Sequence, residues 1–127
     1  YFNFEFNCGG ALLAYHIVDP TRTPSGFKKF IPLSIEDANR IKIYHSLPQL
    51  IDQEIADDTV WFIEFTVPFS LFEKYVGPIT PVVGQTWRGN FHKCADDSSH
   101  PHWASWAPVD ELNFHLPRCF GYLNFMC

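Results

Sequence analysis

Between Gly84 and Phe125 the sequence gathers the side chains best suited to holding a ligand: GQTWRGNFHKCADDSSHPHWASWAPVDELNFHLPRCFGYLNF. Arg88, Asn90 and His92 alternate along an extended segment, and Trp103 and Trp106 follow in a proline-flanked loop. Guanidinium and amide groups pair with vicinal hydroxyls, and an indole plane offers apolar area to the C–H face of a sugar ring while leaving its hydroxyl edge free. Two more segments alternate in the same way, one carrying Asn3, Glu5 and Asn7, the other Glu64 and Thr66. The competing reading is a solvated outer face with Glu64 and Arg88 paired across strands. Clustering beside aromatic residues favours ligand binding, with Glu5, Glu64, Arg88, Asn90 and Trp103 as candidates.

Catalysis would need more. A glycoside hydrolase places two carboxylates about 5 to 9.5 Å apart across the scissile bond. Glu5 and Glu64 are the pair that could meet if their strands were neighbours, so a glycoside hydrolase is the alternative function. There is no nucleophile elbow, phosphate-binding loop or Cys-His motif. The histidines His92, His100, His102 and His115 lack HxxxH or HExxH spacing. Asp96 and Asp97 are the candidate metal ligands, although Asp96-Asp97-Ser98-Ser99 lacks the defined loop of an EF-hand. Cys8, Cys94, Cys119 and Cys127 include no CxxC pair, and four cysteines allow three complete disulfide pairings as well as free buried thiols.

The 127 residues, 46% apolar and 17% aromatic, suffice for one ordinary core, so residues 1–127 read as a single domain or part of one. No apolar run reaches the ~18 residues of a membrane-spanning helix. A net charge of −5 with no Lys/Arg cluster beyond Lys28-Lys29 argues against nucleic acid. An uncharged ligand fits better.

Period-2 alternation predicts strands over 1–7, 60–67 and 85–94, and a closing strand over 120–125. Phe2, Phe4, Phe6, Trp61, Ile63, Phe65, Trp87 and Phe91 should face a core. Cys8-Gly9-Gly10 reads as a turn, residues 11–18 as the hairpin partner, 19–26 as a loop broken by prolines, 35–44 as a short mixed strand, and 70–75 as a helical turn or two. Many short strands with little helical periodicity predict an all-β fold, an antiparallel β-sandwich or jelly roll. Because Tyr1 enters directly into a strand, the chain is expected to be the later part of a longer sandwich that lacks N-terminal strands here.

The blocks WRGNFHKC, PHWASWAP and FHLPRCFGYLNF, with YFNFEFN and WFIEFTVPFSLF ahead of them, resemble family 9-like carbohydrate-binding modules, the xylanase-associated β-sandwich domains. The resemblance implies a noncatalytic module of an exported plant-polysaccharide-degrading system, located in the periplasm, at the cell surface or outside the cell. Its expected ligand is a xylan- or cellulose-type polysaccharide or oligosaccharide, and its expected further partners are other domains or the missing N-terminal portion. An enzyme label such as endo-1,4-beta-xylanase would then belong to an attached neighbour. No cofactor is required, but the resemblance leaves room for a structural calcium. It also makes Trp106, within SWAP, look like a framework residue, and leaves Trp103 as the accessible ring. A related haem-binding sandwich of the DOMON type would need axial ligands such as Met126 and a histidine, and Met126 lies beside the chain end.

Overall fold

Phe2, Phe4 and Phe6 alternate with polar residues, and in the computed structural model they lie on β1 (Phe2–Phe6), which pairs antiparallel with β2 (Leu12–Thr23). The structure describes residues 1–79 and 82–126. Among these, nine strands pair, every pair antiparallel, with two short α-helices and one 3-10 turn. The chain divides into two compact units, residues 1–79 and 80–127.

In the first unit the β1–β2 turn depends on two glycines. Gly10 adopts φ 83°, and a Cβ at Gly9 would come within 2.6 Å of the Gln49 carbonyl oxygen. Asn7 holds the turn, its Oδ1 accepting from the backbone N–H groups of Gly9 and Ala11 at 3.1 and 2.9 Å. β2 then continues through the stretch expected to be a loop and pairs with β3 (Gly26–Pro32), a strand that sequence patterning missed. Register shifts between Ile17 and Asp19 and between Asp19 and Arg22 carry Pro20, which cannot donate to a ladder, through the sheet as a bulge.

The expected strand over 35–44 is instead a helical turn, α1 (Ile35–Ala38), followed by β4 (Lys42–His45). Ser34 Oγ accepts from Asp37 N at 3.1 Å and so caps α1. β4 pairs with β5 (Ile63–Thr66), and α2 (Phe69–Val76) follows Pro68. The core rings pack edge to face: Phe72 lies 4.9 Å from Phe2 and 6.1 Å from Phe4, and Tyr75 lies 5.7 Å from His16. Ala14, Ile17, Ile41 and Leu71 are buried beside them. The carboxylate of Asp37 is also buried, and it accepts hydrogen bonds from Lys74 Nζ at 2.6 Å and Tyr75 Oη at 2.8 Å. These bonds, Lys74 first, hold its pKa down to about 2.

In the second unit the single strand expected over 85–94 is two. β6 (Thr86–Gly89) pairs with β9 (Gly121–Asn124), and β7 (His92–Ala95) pairs with β8 (His102–Ser105), which the loop expectation had hidden. The break falls at Asn90 and Phe91. Trp87 packs 4.8 Å from Phe125. Two expected core rings are exposed: Phe65, which still stacks on Phe6 at 4.6 Å, and Phe91.

Candidate functional site

Where a strand pairs on one side and carries side chains to both faces, the register fixes which groups can act together. On β6–β9, Arg88 lies opposite Tyr122 and Thr86 opposite Asn124, so these four exposed residues share one face. Trp87 and Leu123 take the other face. Gly89 and Gly121 oppose each other there, and a Cβ on Gly121 would come within 2.8 Å of the Trp106 ring.

The Arg88 guanidinium is held in place. Its Nε donates to Phe120 O at 3.1 Å, and its Nη2 donates to Phe120 O at 2.8 Å and to Arg118 O at 3.0 Å. Its Nη1 meets no acceptor among the described residues. The guanidinium carbon stands 5.8 Å from the centre of the Tyr122 ring, which is 71% exposed. Thr86 Oγ1 donates to Asn124 Oδ1 at 2.8 Å, which fixes the Asn124 amide and leaves its nitrogen as a donor. The face therefore presents one flat ring edged by two oriented donors. Sequence reasoning named Arg88 but missed Tyr122 and Asn124, whose signal was their alternation with Leu123.

Asn90 sits at the strand break with its amide spent on its own chain. Nδ2 donates to Ala107 O at 3.0 Å and approaches Ser105 Oγ at 3.3 Å, while Oδ1 accepts from Phe91 N at 2.9 Å and Ala107 N at 2.8 Å. Beside it, His92 stacks on Phe114 at 4.4 Å and its Nδ1 lies 2.8 Å from Ser105 Oγ. Burial lowers the His92 pKa, so the ring is neutral at physiological pH.

Trp103 stands on β8 opposite Cys94, in a different sheet from Arg88, and its Nε1 donates to Asp96 Oδ1 at 3.2 Å. The same oxygen accepts a hydrogen bond from the Cys94 thiol, which raises the Cys94 pKa. Asp96 is thus committed to its hairpin, and the described residues contain no group of three or more His, Cys, Asp and Glu side chains fit to hold a metal ion. Trp106 departs from expectation: expected in the core, it is 55% exposed, while Trp103, expected to be the accessible ring, is 44% exposed. Trp106 packs edge-on to Phe91 at 5.7 Å and lies close to Gly121.

In the first unit Glu5 is exposed and accepts from Asn3 Nδ2 at 2.6 Å. Glu64 is exposed on β5, opposite Tyr44. β1 pairs with β2 and β5 with β4, so the two carboxylates are not cross-strand neighbours, and each alternates away from the Phe6–Phe65 stack. The acid/base pair of the hydrolase alternative loses the adjacency on which it rested. Cys8, Cys94 and Cys119 are free thiols, and Cys127 lies outside the described residues. No helix among the described residues is long and apolar enough to cross a membrane.

No curated protein matches this sequence. Among solved structures the chain is similar to one from Bacteroides uniformis ATCC 8492, described as that of a candidate carbohydrate-binding protein, with 31% identity and a TM-score of 0.80. That likeness covers 98% of this chain and 54% of the other, so this chain spans about half the length of that relative. The profile of carbohydrate-binding family 9 matches residues 1–125. With nearly all of the chain matched, the five sequence blocks and the all-β, antiparallel architecture lead to one conclusion: the chain belongs to carbohydrate-binding family 9.

Proposed function

We infer that this chain holds a neutral plant-type glycan, of the xylan or cellulose kind, on the outer face of β6–β9, as a noncatalytic module of an exported polysaccharide-degrading system. The observation that carries the reading is the fixed Arg88 guanidinium beside the open Tyr122 ring. A sugar stacked on Tyr122 would meet the free Nη1 donor and the Asn124 amide without either group having to reorganise, which limits the ordering cost of binding. Trp103 is the further ring proposed to contact ligand. Glu5 and Glu64 are exposed carboxylates able to accept from hydroxyl groups in the first unit.

Family membership supports sugar binding, and the separate sheets of Glu5 and Glu64 favour holding over cutting. The test is calorimetric titration of the full chain with xylohexaose and cellohexaose, together with a reducing-sugar assay on both polymers. Binding without release of reducing ends is the expected result, and it is weakened by Tyr122→Ala. Hydrolysis that falls by orders of magnitude in Glu64→Gln would establish the enzymatic reading instead.

A further inference from the structure

β4 and β5 carry a second face whose makeup repeats that of the β6–β9 face in a different part of the chain. Their register sets Lys42 opposite Thr66 and Tyr44 opposite Glu64. One step further along, Ser46 N donates to Phe62 O at 3.1 Å and Phe62 N donates to Ser46 Oγ at 3.0 Å. Ser46 therefore holds both the N–H and the C=O of Phe62, which extends the β4–β5 register by one residue pair. Alternation then puts Tyr44, Phe62 and Glu64 on the same side, opposite the side that carries Ile43 and Ile63.

The Tyr44 and Phe62 rings are diagonal cross-strand neighbours, 5.9 Å between centres and 30° between planes, and they are 58% and 56% exposed. They form a shallow two-ring platform. Glu64 and the Tyr44 hydroxyl make no hydrogen bond or ion pair among the described residues, so a carboxylate and a phenol stand open at its edge. Lys42 and Glu64 on one face leave it with no strong charge of either sign.

We propose that the Tyr44–Phe62 platform is a second glycan-binding site, one that takes a short segment of a neutral, β-linked polysaccharide. Two adjacent rings match successive sugar units of an extended chain, since each ring can stack on the C–H face of one unit. Glu64 accepts from vicinal hydroxyls at the platform's edge, as a charge-assisted acceptor. A purely apolar partner would leave Glu64 and the phenol without a hydrogen-bonding partner, and a nucleic acid would be repelled by the carboxylate. A hydroxyl-rich, uncharged ligand satisfies both constraints. Two sites on one chain would convert the second contact with a long polymer into an intramolecular event, so polymer affinity should exceed that of either site alone.

The experiment is a titration of the full chain with xylotriose and, separately, cellotriose, read by calorimetric stoichiometry and by NMR of aromatic side-chain resonances. Its variants are Tyr44→Thr, Phe62→Thr and Tyr122→Ala. The threonine variants keep a residue suited to a strand, so folding survives the loss of the ring. The expected result is two trisaccharides per wild-type chain and one in either Tyr44→Thr or Tyr122→Ala, with the Tyr44 and Phe62 resonances moving on sugar addition. Retention on insoluble xylan should fall at least tenfold when either platform is removed. Shifts confined to Tyr122, with one sugar bound, would overturn the second site and leave the β6–β9 site standing. Shifts confined to Tyr44 and Phe62 would uphold the second site and overturn the first. A Tyr44→Thr chain that melts several degrees lower, or changes its oligomeric state, with no sugar response in the wild type, would show the face to be a packing or self-association surface and would overturn the proposal.

Discussion

Arg88 and Tyr122 stand directly opposite each other across the β6–β9 ladder, with the guanidinium 5.8 Å from the ring centre and tied by hydrogen bonds to two backbone carbonyls. The pair is built before any ligand arrives. Lysine at position 88 could not reproduce it, because a single ammonium lacks the planar fork that reaches Phe120 O through both Nε and Nη2. Arg88→Lys should therefore weaken xylohexaose and cellohexaose binding nearly as much as Arg88→Ala, by about tenfold, or ~1.4 kcal/mol. Calorimetry on the two variants checks this. Tyr122→Ala should lose a similar amount of affinity while leaving stability within about 0.5 kcal/mol, as for most surface substitutions.

Asn90 should matter for folding more than for binding. Asn90→Ala strips the partners from the Ala107 backbone amide and carbonyl and from the Phe91 N–H. The two Ala107 groups are partly buried and cost about 1–3 kcal/mol each when left unsatisfied, whereas the exposed Phe91 N–H can turn to water, so the expected destabilisation is on the order of 3 kcal/mol. Chemical denaturation measures it. Asn90→Asp keeps the acceptor and loses the donor, and should fall between wild type and the alanine variant.

Gly121→Ala should destabilise by about 1–3 kcal/mol, because its new Cβ would come within 2.8 Å of the Trp106 ring, and a rigid indole gives way less readily than a flexible chain. Trp106→Ala in turn should cost less than the roughly 3–5 kcal/mol of a fully buried large aromatic, since more than half of its surface is already exposed at 55%. The double variant Gly121→Ala/Trp106→Ala should recover part of the loss seen in Gly121→Ala. Thermal melts of the three proteins form the cycle.

Asp37 makes folding sensitive to acid. Its carboxyl pKa is depressed to about 2, chiefly by the hydrogen bond from Lys74 and then by that from Tyr75. A depressed carboxyl pKa contributes stability that is complete above the unfolded value of about 3.9 and disappears as pH falls toward the folded value. The wild type should lose stability between about pH 5 and pH 2, and Asp37→Asn should show a flatter profile in that window and a lower melting point at pH 7. Denaturation curves from pH 2 to 7 decide it.

Cys94 should be a sluggish nucleophile although its residue is exposed, because the hydrogen bond to Asp96 favours the protonated thiol and raises its pKa. Iodoacetamide labelling at pH 7.5 should accelerate in Asp96→Asn. Mass spectrometry of the labelled peptide reports the rate for this thiol alone.

The sequence disclosed the elements whose alternation is uninterrupted. Phe2, Phe4 and Phe6 placed β1 within a residue of its ends, and the polar character of Arg88 marked the outer face of β6. Features that depend on a single compensating contact stayed hidden. Pro20 reads as a chain break, and only the bulge beside Asp19 lets β2 run through it. The strand expected over 35–44 overran residues 35–38, which the Ser34 cap makes helical. Asn90 looked like one more polar residue on an alternating face because nothing local shows that its amide reaches Ala107, seventeen residues on. Trp106 was drawn toward the core by its motif, whereas Gly121 receives only one edge of the ring. Tyr122 was legible from its alternation, but the closing strand was read for packing alone.

The Asn90 lock has a consequence for how this hairpin can change over generations. Its bonds to Ser105 and Ala107 close the open end of the β7–β8 hairpin, and the ladder from His92–Ser105 to Ala95–His102 fixes the register beyond it. The tip beyond Asp96, residues 97–101, lies outside both constraints. Residues can be inserted or deleted there without shifting the partner of any strand position, and a longer tip would carry new side chains out beside Trp103. The hairpin thus separates the part that must be inherited intact from the part free to diversify, and it is at residues 97–101 that relatives with different sugar preferences should differ most in length.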